Sequence, residues 1–136
     1  MPLPERVALD RSAFYVLLSP DDTNHQLATS IYERLIDREQ ELWTTSCILT
    51  EVLSFARDRY GSEVMRILAE SLRDVVHIYW IDRGVFEEAW NKMIDTHSPE
   101  LNIVDFITAV VAGRLRSYLF TFNKIFAELG IPTLPR

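Results

Sequence analysis

Leu101-Asn-Ile-Val-Asp105-Phe-Ile-Thr-Ala-Val-Val-Ala112 is the most apolar stretch of the chain, with a single carboxylate near its front. Wound as a helix, it sets Asn102, Asp105, Thr108 and Ala112 on one small, polar stripe. Ile103, Val104, Phe106, Ile107, Val110 and Val111 cover the remaining surface. A helix that is apolar nearly all round is a buried helix. An acid in that setting needs a partner, a metal ion or a cap. Two readings are open at this point. Asn102 can be the N-cap with Asp105 as the reciprocal N3 acid, a variant of the capping box, or Asp105 can belong to a larger acidic set.

Working outward from this helix, the pattern alternates between strands and helices. Arg6–Asp10 reads as a short buried strand ending on an acid, followed by a short helix to Leu18 with Ser12 as N-cap. Leu27, Ile31 and Leu35 mark an amphipathic helix over 24–37. Glu41–Thr45 is a second strand; Ser46 then caps a helix that Gly61 ends at about Tyr60. Ser62 caps a further helix to about Arg73, with Val64, Leu68 and Leu72 inward. Val75–Ile81 is a β-branched, aromatic third strand. Asp82 caps a helix whose inward stripe is Phe86, Trp90, Met93 and Ile94. After the opening helix come a fourth strand over 116–122, a short helix stopped by Gly130, and an edge strand over 131–134. This alternation predicts a three-layer α/β/α sandwich on a mainly parallel sheet. Ligands of such sheets bind beyond the carboxyl ends of the strands, where strand order reverses.

Composition sets limits on function. The 136 residues suit one domain, 1–136, and with 48% hydrophobic and 25% charged residues the chain is ordinary globular material. Cys47 is the single cysteine, so no internal disulfide forms and a reducing compartment is expected. No apolar run approaches membrane-spanning length, and Met-Pro-Leu-Pro-Glu-Arg lacks the apolar core of a signal peptide. A cytoplasmic location follows as an expectation. Fourteen basic against 20 acidic residues, a net charge of −6, argue against a broad nonspecific nucleic-acid surface. An enzyme whose acids gather in a metal site remains compatible with that charge.

Four polar positions stand out: Asp10 at the end of the first strand, Glu51 in the second turn of the third helix, Asp105, and Asn123 after the fourth strand. Oxygen ligands with few histidines suit Mg²⁺ or Mn²⁺ rather than zinc. Each position also has a plainer reading: Glu51 as an exposed helix acid, Asp10 and Asn123 as caps. Arg11 and Lys124 directly follow two of these positions and could meet RNA phosphates; solvated surface charge is the plainer reading of both. His25, His77 and His97 have no metal-ligand spacing. Cys47 is read as a small core residue near a helix start, a place that can lower a thiol pKa. Trp43, Trp80 and Trp90 fit core stripes better than base-stacking platforms.

Read end to end, the chain resembles the PIN domain family, and most of all the VapC-type toxins of toxin–antitoxin pairs. Val7-Ala-Leu-Asp10-Arg-Ser12-Ala resembles the opening strand with its Asp-x-Ser/Thr, and Asn24-His25 with Ala28 the His-x-x-Ala of the second helix. Thr50-Glu51-Val-Leu resembles the Glu-bearing helix, and Leu101-Asn-Ile-Val-Asp105 the Leu-Ser-x-x-Asp. Leu119-Phe-Thr-Phe-Asn123-Lys-Ile-Phe126, with Gly130, resembles Leu-Thr-Phe-Asp-x-x-Phe and its following glycine. The resemblance implies a metal-dependent ribonuclease with Asp10, Glu51 and Asp105 as metal-binding acids and Ser12 beside them to place a metal-bound water or phosphate. It also implies RNA as substrate, an antitoxin as partner, and a homodimer using apolar residues of the early helices. Asn123 stands at the family's fourth acidic position and Asn102 where Ser or Thr is usual. An asparagine offers a neutral oxygen, so ligand charge is lost there. A PIN domain that binds RNA or protein without cutting is the rival reading. A flavodoxin-like regulatory domain with an acidic pocket is a third, and it predicts metal binding without nuclease activity.

Overall fold

A computed structural model describes residues 5–136; Met1–Pro4, the start of the segment read as no signal peptide, lie outside the described residues. Five strands form one sheet: β1 (Arg6–Leu9), β2 (Glu41–Thr45), β3 (Val76–Tyr79), β4 (Tyr118–Phe120) and β5 (Thr133–Leu134). Their order is β3-β2-β1-β4-β5, and every pairing is parallel. This differs from the flavodoxin-like order 2-1-3-4-5, which sets aside the third reading. The connecting helices are α1 (Arg11–Leu17), α2 (His25–Asp37), α3 (Ser46–Tyr60), α4 (Ser62–Val75), α5 (Arg83–Asp95), α6 (Ile103–Leu115) and α7 (Ile125–Glu128).

Strand parity produces the layers. Val7, Leu9, Leu42, Val76 and Phe120 point to one face, where Phe14, Val16, Leu35, Ile48, Val52 and Leu72 of α1–α4 meet them. Ala8 and Leu119 point to the other face, against Phe126 of α7, with Trp43 and Ala109 of α6 packed alongside. The same outer layer holds α5 on α6 through Val85, Ala89, Phe106, Ile107, Val110 and Val111. Both faces of the sheet are therefore covered, which accounts for the unbroken apolar run Val7-Ala8-Leu9 of β1, its central strand. Gly61 and Gly130 have φ of 97° and 84°, conformations that suit glycine, and each follows the end of a helix as its place in the sequence implied.

Several local expectations are corrected. The side chain that caps α3 is Thr45, which accepts from the Ile48 N–H at 3.0 Å, because Ser46 is already helical and its Oγ accepts from the Ile81 N–H instead. Ser12 and Ser62 likewise lie inside their helices. In α5 the inward residues are Val85 and Ala89, whereas Trp90 and Ile94 are 51% and 61% exposed. Close packing of α5 on α6 selects small side chains at the contact, and the aromatic stripe turns outward. Trp80 is 70% exposed for a related reason: β3 ends at Tyr79, on the sheet's edge. Val64 is also partly exposed, while Leu72 carries the α4 contact.

Candidate functional site

The order of strands reverses at β1, with β2 and β3 to one side and β4 and β5 to the other. Asp10 stands just beyond the carboxyl end of β1, at this switch point. Its N–H still donates to the Phe120 carbonyl at 3.0 Å, extending the β1–β4 ladder, while its own carbonyl accepts from Ala13 in the first turn of α1. The side chain makes no capping hydrogen bond, so the cap reading of Asp10 fails.

That side chain is 1% exposed. Ser12 Oγ and Thr121 Oγ1 each lie 2.8 Å from Oδ2, and 3.0 Å from each other. Each hydroxyl has one proton, so when both serve the carboxylate, the contact between them carries none. The hydroxyl oxygens are held in turn by backbone donors, the Phe122 N–H at 2.9 Å on Ser12 and the Asn123 N–H at 3.0 Å on Thr121. Thr121 was not singled out from the sequence. Its signal was a hydroxyl residue between two phenylalanines at the end of the strand that pairs with β1. The other oxygen of Asp10, Oδ1, is buried with no hydrogen-bond partner. Burial pushes the Asp10 carboxyl above its ordinary value of 3.8; the hydrogen bonds from Thr121 and Ser12 pull down, and the nearby charge of Asp105 adds to the rise.

Asp105 arrives from α6. The capping box is formed in full: Asp105 N–H donates to Asn102 Oδ1 at 3.2 Å, and Asn102 N–H donates to Asp105 Oδ2 at 3.0 Å. Capping does not use up the Asp105 carboxylate, which also accepts from Arg11. The cap holds the side chain of this buried carboxylate in place. Glu51, half-buried on α3, completes the set. Between these two acids lies Arg11, whose Nη1 donates to Glu51 Oε2 at 3.0 Å and whose Nη2 donates to Asp105 Oδ1 and Oδ2 at 3.1 and 3.2 Å. The surface-charge reading of Arg11 is therefore wrong: its side chain is 23% exposed and bridges two helices. Burial works against its charge, but the fields of Asp105 and Glu51 more than offset this and hold the guanidinium above its usual pKa.

Asn123 turns its Oδ1 to the Ile125 N–H at 3.2 Å, opening α7, and Lys124 is exposed beside it. Cys47 is half-buried; burial raises its thiol pKa, with the charge of Glu51 adding to the effect, so the depressed thiol suggested by its helix position is not found. His25 Nδ1 lies 2.9 Å from the Val16 carbonyl, and His77 is exposed on β3 beside Trp43.

The donor chemistry fits a hard divalent cation: carboxylates at a switch point, one of them with a bare, buried oxygen. The arrangement is that of an arginine-bridged set, and among the described residues no three His, Cys, Asp or Glu side chains are grouped to hold an ion. Also among the described residues, no helix is long and apolar enough to cross a membrane.

Comparison with known proteins accords with this architecture. The sarcin–ricin loop cleaving toxin VapC20 of Mycobacterium tuberculosis superposes with a TM-score of 0.77 at 21% identity, over 92% of this chain and 95% of that one. VapBC-1 of nontypeable Haemophilus influenzae gives 0.70 at 16% identity, over 94% and 96%. FitAcB of Neisseria gonorrhoeae gives 0.70 at 15%, over 93% and 95%. No curated protein sequence matches the chain. The family described as PIN domain matches residues 7–132, nearly the whole of the strand and helix succession, and the chain belongs to that family.

Proposed function

We propose that the protein is a divalent-metal-dependent endoribonuclease and the toxin of a toxin–antitoxin pair, with the chain 1–136 acting as one domain. Asp10, Asp105 and Glu51 would hold Mg²⁺ or Mn²⁺, with Asn123 as a weak fourth member. When bound, the ion supplies an activated water and stabilises charge on the phosphodiester. Around it the chain's own residues do the positioning. Ser12 and Thr121 aim Asp10 through its Oδ2, leaving Oδ1 bare. The capping box with Asn102 locks Asp105. Lys124 stands exposed at the same end of the sheet, suited to an RNA phosphate. The observation that carries the reading is the Arg11 bridge between Glu51 and Asp105, set beside the buried Asp10 at the switch point.

The structural neighbours support the biological setting, since VapC20 is a sarcin–ricin loop cleaving toxin. An apolar groove of 310 Å³ between α1, α2 and α4, lined by Phe14, Leu17, Tyr32, Leu68 and Leu72, suits an apolar segment of an antitoxin. The unpaired thiol of Cys47 suits the cytoplasm.

The test is incubation of structured RNAs with Mn²⁺, with Mg²⁺ and with chelator. Cleavage with either ion, absent in chelator and absent in a folded Asp105→Asn variant, is the expected result. An unchanged rate in Asp105→Asn would refute the assignment. A second reading, a PIN domain that binds without cutting, is favoured by Asn123 at the fourth acidic position; RNA binding with no cleavage under any of these conditions would decide for it.

A further inference from the structure

Arg11 deserves to be read as an occupant of the acidic site. Its guanidinium touches Glu51 and Asp105 through separate nitrogens, at 3.0 Å and 3.1 Å, so it takes oxygens from two helices at once. A divalent ion shared by these acids needs the same oxygens at little more than about 2 Å. Two cations crowded onto the same oxygens repel each other, and each weakens the other's hold. Nor is the guanidinium an incidental visitor. Arg11 is the first residue of α1 and directly follows Asp10, whose backbone is tied to β4, so the origin of its side chain is fixed beside the acids. With Arg11 in place, one positive charge already balances part of the three-carboxylate set, and the buried Asp105 has an ion-pair partner without any metal.

We propose that Arg11 is a built-in cationic gate: it closes the site by bridging Glu51 and Asp105, and a divalent ion enters only when the guanidinium lets go of both. The inference rests on reading the acids as ion ligands, and it goes beyond that reading by making metal loading a competition with the chain's own arginine. Removing the gate strengthens metal binding, since the ion no longer displaces a bound cation, and weakens the ion-free fold, since Asp105 loses its counter-charge in a buried place.

The test is calorimetric Mn²⁺ binding and thermal melting of the full chain, as wild type, Arg11→Gln and Arg11→Lys. Arg11→Gln should bind Mn²⁺ about tenfold more tightly than wild type, or better. It should also melt lower than wild type in chelator and recover when Mn²⁺ is added. Adding Asp105→Asn to Arg11→Gln should abolish the gain. Arg11→Lys keeps the charge but loses the two-armed fork, so it should bind Mn²⁺ with intermediate affinity. Should Arg11→Gln fail to fold in chelator, Arg11→Lys carries the comparison: tighter binding than wild type supports the gate, and equal binding overturns it. Equal, measurable Mn²⁺ affinity in wild type and folded Arg11→Gln overturns the gate and leaves the metal site standing. No Mn²⁺ binding by either folded form overturns both.

Discussion

Asp10 is a carboxylate with its two oxygens in unlike surroundings. Oδ2 takes two hydroxyls, and Oδ1 is buried and bare. A proton or a cation satisfies such an atom, and the raised pKa expresses the cost of having neither. The sign of the pH effect follows. In the metal-free protein the folded state holds the proton more tightly than the unfolded chain does. The contribution to stability is therefore fully present below the ordinary 3.8 and is lost as pH rises through the higher folded value. Asp10→Asn removes that loss. In chelator, the variant's melting temperature should exceed that of wild type at neutral pH, and the gap should shrink as the solution is made acid. A gap that stays constant over this range would show that Asp10 does not titrate differently in the two states. With Mn²⁺ the same substitution should abolish RNA cleavage, so stability and function pull in opposite directions at this residue.

Among the elements, α6 and α7 treat polar residues differently. In α6 one carboxylate serves both the capping box and the Arg11 ion pair, because an N3 side chain reaches back past the helix end toward whatever lies beyond the strands. At α7, Asn123 uses its Oδ1 on the Ile125 N–H. Asp at that position can make the same bond, since Asp and Asn are near-equal as caps, and stability should change by less than about 0.5 kcal/mol. If Asn123 also belongs to the ion site, Asn123→Asp should tighten Mn²⁺ binding and raise cleavage at low metal concentration, because ligand charge is a main lever at hard-cation sites. Calorimetry showing identical Mn²⁺ affinity in the two forms would reduce Asn123 to its turn bond with the Ile125 N–H. Helix α5 shows how packing overrides periodicity. Its aromatic stripe and its small-residue stripe are both regular, and the close approach of α6 selects Val85 and Ala89, leaving Phe86 and Trp90 stacked edge-on at 5.8 Å outside.

On the whole molecule, large apolar side chains stand exposed in two regions. One, on α2 and α4, exposes Leu27, Ile36, Val64 and Ile67; the other, around α5, exposes Trp80, Phe86, Trp90 and Ile94. The early helices were expected to supply a homodimer interface. Trp80 and Trp90, of the side-chain type that most often anchors interfaces, lie on the second face. We therefore expect a homodimer joined through α5, leaving the α1–α2–α4 groove to an antitoxin segment. Sedimentation should show a dimer for wild type and a monomer for Trp90→Glu, whose substitution lies on the surface and spares the core. A wild-type monomer at high concentration, or a dimer unaffected by Trp90→Glu, would refute the assignment.

The candidate acids were singled out by family resemblance, whereas the chain's order of strands and helices, the buried character of 101–112 and the glycine stops were legible in the sequence, because periodicity, propensity and spacing are local properties. The capping box of Asn102 and Asp105 was legible for the same reason. Strand order, and with it the contact of Asp10 with Thr121 and the Arg11 bridge from Glu51 to Asp105, came only with tertiary structure, since these residues are brought together by parallel crossovers rather than by neighbourhood in the chain. The same limit hid which stripe of α5 faces inward, a choice made by α6. It also hid Arg11: one basic residue after a strand looks like any solvated charge until two helices, far apart in sequence, deliver their carboxylates to either arm of its guanidinium.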